Sequence, residues 1–294
     1  MHISLIDAPA AALGESPLWD PERRCLFWVD TVGRRIWCYT PHTRDLHSWA
    51  TPAPVGSIGL ADMGQLVVAL AGGFSLFTLA SEAWKPLWTA PHDPLVRLND
   101  GKMDRTGRYL CGGMGIKADP IGNVYRLSPN GAVSTLKRGL RISNTICFSP
   151  DGGTLYVADS LSHCIMQHSY GADDGPIGPE RLFCDTTDLG SGPDGATVDA
   201  EGFLWVALVR AGKIARLAPD GTLDRLIEVP VDLPSCPAFG GDDLSTLYVT
   251  SIQDSGTGRA VSTLPEGGRV VVIEGLGVRG LAETRMRPAG QDVT

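Results

Sequence analysis

A short phrase returns six times along this chain: a polar turn, then a run of apolar, strand-forming residues. It reads Cys25-Leu26-Phe27-Trp28-Val29, Gln65-Leu66-Val67-Val68-Ala69 and Arg108-Tyr109-Leu110-Cys111 in the first half. It returns as Thr154-Leu155-Tyr156-Val157-Ala158, Phe203-Leu204-Trp205-Val206-Ala207 and Thr246-Leu247-Tyr248-Val249 in the second. Aligned on Leu26, Leu66, Tyr109, Leu155, Leu204 and Leu247, the copies stand roughly 40–50 residues apart, the length of a four-stranded propeller blade. The turns before the strands carry the residues a tight hairpin needs, as in Asp151-Gly152-Gly153 and Asp104-Arg105-Thr106-Gly107. A second hairpin follows in several units. Ile214-Ala215-Arg216-Leu217 turns at Pro219-Asp220-Gly221 into Thr222-Leu223-Asp224-Arg225-Leu226, with the period-two alternation of half-buried strands. No segment carries a long amphipathic helical pattern. The expectation is an all-β, six-bladed β-propeller with four-stranded blades.

A propeller must join its ends. Ile3-Ser4-Leu5-Ile6 reads as a strand ahead of the first full unit, and the last unit runs through Arg269-Val270-Val271-Val272-Ile273. The N-terminal strand is expected to complete the last blade and cover its edge. Residues 1–287 are expected to form one domain, with 288–294 a loose polar tail. The 36 glycines and 21 prolines are spread between the apolar runs, which suits many turns and not a linker.

Charge and cysteine usage exclude several function classes. Net charge is -8 and no basic stripe appears, which argues against a nucleic-acid partner. Nothing approaches the length of a membrane span, and the N-terminus has no basic region followed by an apolar stretch. Seven cysteines, an odd number without Cys-x-x-Cys spacing, read as buried thiols in a reducing cytoplasm.

Chemistry gathers where the chain enters each blade from the previous one. Those segments include Gly14-Glu15-Ser16-Pro17, Arg97-Leu98-Asn99-Asp100-Gly101, Ser143-Asn144-Thr145 and Gly192-Pro193-Asp194-Gly195. In a propeller they would meet on the axis at one face. The set supplies carboxylates and carboxamides with no His or Cys, which suits a hard divalent cation such as Ca²⁺, Mg²⁺ or Mn²⁺, with Zn²⁺ also admitted. Taken singly, Glu15 reads as a solvated loop acid, and Asp194 in Pro-Asp-Gly as a turn former. Their equivalent position in successive units is what singles them out.

These segments also carry a family resemblance. The chain resembles the senescence-marker-protein, gluconolactonase and luciferin-regenerating-enzyme family, the regucalcin-like lactonases. The resemblance runs from Gly14-Glu15-Ser16-Pro17-Leu18-Trp19 through Arg97-Leu98-Asn99-Asp100-Gly101-Lys102 and Phe148-Ser149-Pro150-Asp151-Gly152. It continues to Pro193-Asp194-Gly195 and Leu247-Tyr248-Val249-Thr250-Ser251. It implies a metal held by Glu15, Asn144 and Asp194, and a substrate held by Arg97 and Asn99. The implied reaction is metal-dependent opening of a sugar-derived lactone, with Asp194 as candidate general base.

The chain departs from the family in two loops. Lys117 stands near a point where some relatives carry a substrate-contacting Glu, and Val209-Arg210-Ala211-Gly212 replaces an aromatic-Gly-Gly turn. In a protein of net charge -8, Arg97, Lys117 and Arg210 at one mouth would favour an anionic lactone, such as a sulfogluconolactone or an aldarolactone. His163 falls in the corresponding loop of the fourth unit and reads as an exposed imidazole. Two alternatives stand beside the lactonase reading: a phosphotriesterase-like hydrolase on the same metal site, and a non-catalytic propeller binding calcium or a protein partner.

Overall fold

In a computed structural model that describes residues 1–287 apart from Met63 and His92, the chain forms six four-stranded antiparallel sheets. The innermost strands are Gly14–Asp20, Val55–Leu60, Val96–Met103, Ser143–Phe148, Pro193–Val198 and Pro234–Gly240. Each touches the innermost strand of the next blade, and the sixth touches the first, so the ring is a closed six-bladed β-propeller. Among the described residues, regular helix is limited to two three-residue turns, Ser160–Ser162 and Thr187–Leu189. No helix among the described residues is long and apolar enough to cross a membrane.

Burial explains why the repeated phrase was apolar without alternation. The second strand of each blade is covered on both faces by neighbouring blades. Leu26, Leu66, Tyr109, Leu155, Leu204 and Leu247, one per blade, are each at most 1% exposed. Outer strands have one face in water and alternate, as in Asp45–Ala50. The turn at Gly221 requires glycine on two counts. Its φ is +87°, and a Cβ there would come within 1.9 Å of the Phe183 carbonyl oxygen in the neighbouring blade.

The sixth blade is assembled from both ends of the chain. His2–Leu5 pairs antiparallel with Val271–Glu274, with Ile3 opposite Ile273 and Leu5 opposite Val271. Residues beyond Glu274 then cross under the ring, on the side where the innermost strands end. Gly280 donates to Leu244 O in blade six, and Arg279 O accepts from Ala200 in blade five. Glu283 pairs with Lys102 of blade three at 3.2 Å, and Met286 bonds to Leu60 and Asp62 of blade two. The proposed loose tail, 288–294, lies outside the described residues. All seven cysteines are free; four are buried and three half-buried.

Candidate metal and substrate site

Every innermost strand carries a β-bulge. Two residues of the inner strand oppose one of its neighbour between Glu15 and Leu18, Leu98 and Gly101, Asn144 and Cys147, and Pro193 and Ala196. A bulge adds one residue, twists the strand and re-aims the side chains beside it. Glu15, Asn99, Asn144 and Asp194 all lie at or inside these bulges. Two bulges need positive φ at non-glycine residues, Ser16 (φ 51°) and Thr145 (φ 59°). Backbone strain at such positions is held only where the surroundings over-determine it. Here Ser16 Oγ accepts from Ile58 N, and Thr145 Oγ1 donates to Asp194 O, each tying its bulge to the next blade.

One cavity of ≈ 150 Å³ collects Glu15, Arg97, Asn99, Asn144 and Asp194. Hydrogen bonds connect three blades across it. Arg97 Nη1 donates to Asn99 Oδ1 (2.8 Å), and Asn99 Nδ2 donates to Asn144 Oδ1 and Ser143 O (both 2.9 Å). Asn144 Nδ2 donates to Ser160 Oγ (2.8 Å), which donates to Pro193 O (2.7 Å). The relay fixes the Asn144 amide with its oxygen toward Asn99 and leaves that oxygen one lone pair.

The acids are less well served. Glu15 is 9% exposed and accepts only a long bond, 3.4 Å, from Ser16 N. Asp194 is 7% exposed. Burial pushes Asp194 up to about 8, with Asp100 adding to the rise while the Gly195 N–H and Arg97 oppose it. Burial, then Asp194 and Asp100, hold Glu15 well above the ordinary carboxylate range. Buried carboxylates that face one another without an ion pair call for a cation. Among the described residues no three His, Cys, Asp or Glu side chains gather as a metal cluster. A ligand set here therefore reaches three only with the Asn144 amide, and the oxygen donors fit a hard divalent ion.

The other candidate residues divide. Arg210 lines the cavity, and so does His163, which is half-buried with an unpartnered Nδ1 and is not the exposed imidazole expected. Lys117 is exposed and outside the lining; its loop opens on the correct face, but its side chain is turned to solvent. Sequence reasoning missed Arg259, Ser255 and Thr257, which line the cavity from the sixth blade. Their stretch, Asp254-Ser255-Gly256-Thr257-Gly258, carries only a turn signal. A larger hollow of ≈ 400 Å³ between blades two and three, lined by Tyr125 and Arg138 among others, receives none of the candidate metal ligands.

Comparison with known proteins follows the same lines. Residues 13–253 match the family model described as the SMP-30/Gluconolactonase/LRE-like region. The chain is 33% identical to regucalcin of Xenopus laevis, over 97% of this chain and 98% of the relative. It is 30% identical to 6-deoxy-6-sulfogluconolactonase of Pseudomonas putida, over 93% and 94% of the two chains. A solved structure of a calcium-binding protein, regucalcin, from Agrobacterium tumefaciens superposes with a TM-score of 0.89 at 30% identity, covering 96% of each chain.

Proposed function

The chain belongs to the SMP-30/gluconolactonase/LRE-like family, and from that premise we propose that it is a metal-dependent hydrolase opening a sugar-derived lactone to the free acid. The observation that carries the reading is the meeting of Glu15, Asn144 and Asp194, from three blades, in one cavity with Arg97. These three residues would hold one divalent cation. When bound, the cation supplies Lewis-acid polarisation of the lactone carbonyl.

The remaining work falls to the chain. Asp194, kept a carboxylate by a neighbouring cation, orients the attacking water and takes its proton at a carboxylate oxygen. The water oxygen joins the carbonyl carbon, the ring C–O bond breaks, and the former ring oxygen takes the proton held by Asp194 and leaves as a hydroxyl. Arg97 spends Nη1 on Leu98 O and Asn99 Oδ1, and keeps Nε and Nη2 for the substrate oxygens. Asn99 is largely consumed by Arg97, Ser143 and Asn144. Its part is to position Arg97 and Asn144, more than to hold ring hydroxyls itself. The cavity walls restrict how the lactone can sit and so fix the attack geometry.

The test is a pH-stat assay over a panel of sugar lactones with and without chelator, spontaneous opening subtracted. Turnover should vanish with chelator and return with a divalent cation. Turnover that persists in chelator removes the metal from the mechanism. Cation uptake without turnover of any lactone makes the protein a non-catalytic metal binder.

A further inference from the structure

Three guanidinium groups reach the candidate site of a protein whose net charge is -8: Arg97, Arg210 and Arg259 all line the cavity. Arg24, Arg108, Arg216 and Arg285 each pair with a carboxylate elsewhere in the ring. Among the described residues, none of the three cavity arginines has a carboxylate oxygen within 4.0 Å. Their hydrogen bonds go to carbonyl oxygens, so none of the three is neutralised by a direct ion pair.

Arg259 is the least expected of them. It sits on the loop of blade six between Thr246–Ser251 and Val271–Glu274, a loop closed by the Asp254–Val261 bridge and by Ser262 N donating to Gln253 O (2.8 Å). Its Nη2 donates to Ile116 O of blade three (2.8 Å), on the opposite side of the ring. Its own carbonyl accepts from Arg210 Nη2 of blade five (3.1 Å). The side chain is half-buried and spans the mouth of the cavity. Burial is the main cause that lowers the pKa of Arg97; the buried acids Glu15 and Asp194 oppose it, and the positive charge of Arg259 adds a smaller push in the same direction as burial.

The cavity is bipolar as a result. Its buried end carries Glu15 and Asp194, and its mouth carries two cations with donors to spare. An arginine fork offers five N–H groups in one plane, and Arg259 spends one on Ile116. Resting on the lactonase reading, we propose that Arg259, backed by Arg210, recognises a second acidic group of the substrate, a carboxylate or sulfonate distal to the lactone carbonyl. Lys117, the cation that the loop position alone favoured, takes no part.

The experiment compares a neutral and an acidic lactone of one sugar skeleton, gluconolactone and 6-deoxy-6-sulfogluconolactone, on the metal-loaded protein. Arg259→Gln, Arg259→Lys and the charge-matched control Arg181→Gln, on an exposed outer strand of blade four, are assayed beside the wild type. The wild type should favour the acidic lactone in kcat/KM. Arg259→Gln should lower the acidic-to-neutral ratio by about tenfold or more, through KM, as expected for a lost charge-assisted hydrogen bond. Arg259→Lys should recover part of the ratio, and Arg181→Gln should leave it as in the wild type. The preference should also weaken with added salt. Equal preference in the wild type, or an unchanged ratio in Arg259→Gln, overturns the proposal and leaves the lactonase reading standing. If neither lactone is opened, the lactonase reading falls, and calorimetry with glucarate and gluconate decides the anion site. Tighter glucarate binding in the wild type, lost in Arg259→Gln, retains it; equal binding of the two acids removes it.

Discussion

Glu15 and Asp194 are two acids of like sign, buried and open to one cavity, and each costs folding free energy unless a cation lies between them. Replacing one should therefore separate stability from activity. In chelator, Asp194→Asn should melt above the wild type by about 2 °C or more, because a like-charge repulsion is gone. Added Ca²⁺ or Mn²⁺ should raise the melting temperature of the wild type and leave Asp194→Asn unmoved. Lactone turnover should fall by about a hundredfold or more in Asp194→Asn and in Glu15→Gln. A metal-free Asp194→Asn with wild-type turnover would falsify the site. These residues were legible in the sequence because they recur at the same point of successive units. Arg259 was not, because what brings it to the site is a bond across the ring to Ile116, which no local pattern encodes. Lys117 misled for the converse reason, since a loop position fixes a face and not the direction of a side chain.

Between strands, the recurrent aspartates do more than turn the chain. In the sequence, Asp104 reads as a hairpin former, and that much holds for it and for its counterpart Asp199: Asp104 Oδ1 accepts from Thr106 N and Arg108 N, and Asp199 Oδ1 from Glu201 N and Phe203 N. Both are also buried and paired with arginines, Asp104 with Arg108 and Asp199 with Arg216. Asp104 further accepts from Tyr170 OH (2.8 Å), which lies beyond the third strand of the next blade. The Tyr170 bond was not legible, because a partner from another blade leaves no local pattern. Burial works to raise the pKa of Asp104, but the bonds from Arg108, Tyr170 and Thr106 outweigh it and hold the carboxyl below its usual value. A depressed folded-state pKa stabilises the protein above the unfolded value, and that contribution is lost as pH falls through the folded value. Asp104→Asn should thus cost about 1.5–3 kcal/mol at neutral pH by removing the nearest carboxylate of Arg108, which keeps Asp174 at 3.5 Å. Its stability should also change less than that of the wild type between about pH 5 and pH 2, measured by denaturant unfolding.

For the whole ring, the decisive seam is the pairing of His2–Leu5 with Val271–Glu274. The number of blades and this closing strand were legible from spacing alone, since both follow from a repeat that must close on itself. The crossing of residues 276–287 beneath the ring was not, because that segment lacks the repeat and is placed by contacts with several blades. Deleting Met1–Asp7 removes the outer strand of blade six along with the buried Ile6. The melting temperature should drop by at least about 5 °C, from the loss of at least one fully buried aliphatic side chain and the exposure of an unpaired edge. An unchanged melting temperature would break the closure described here. The seam also orders events during synthesis. The first strand leaves the ribosome before any of its partners exist, and Val271–Glu274 follows roughly 270 residues later, some tens of seconds at about 5–20 residues per second. Through that interval the growing chain holds blades one to five with an open edge at each end. A nascent chain stalled short of Val271–Glu274 should therefore be a ready substrate for chaperones and proteases, while one zipped shut by a strand made about 270 residues earlier offers them no loose end at that blade.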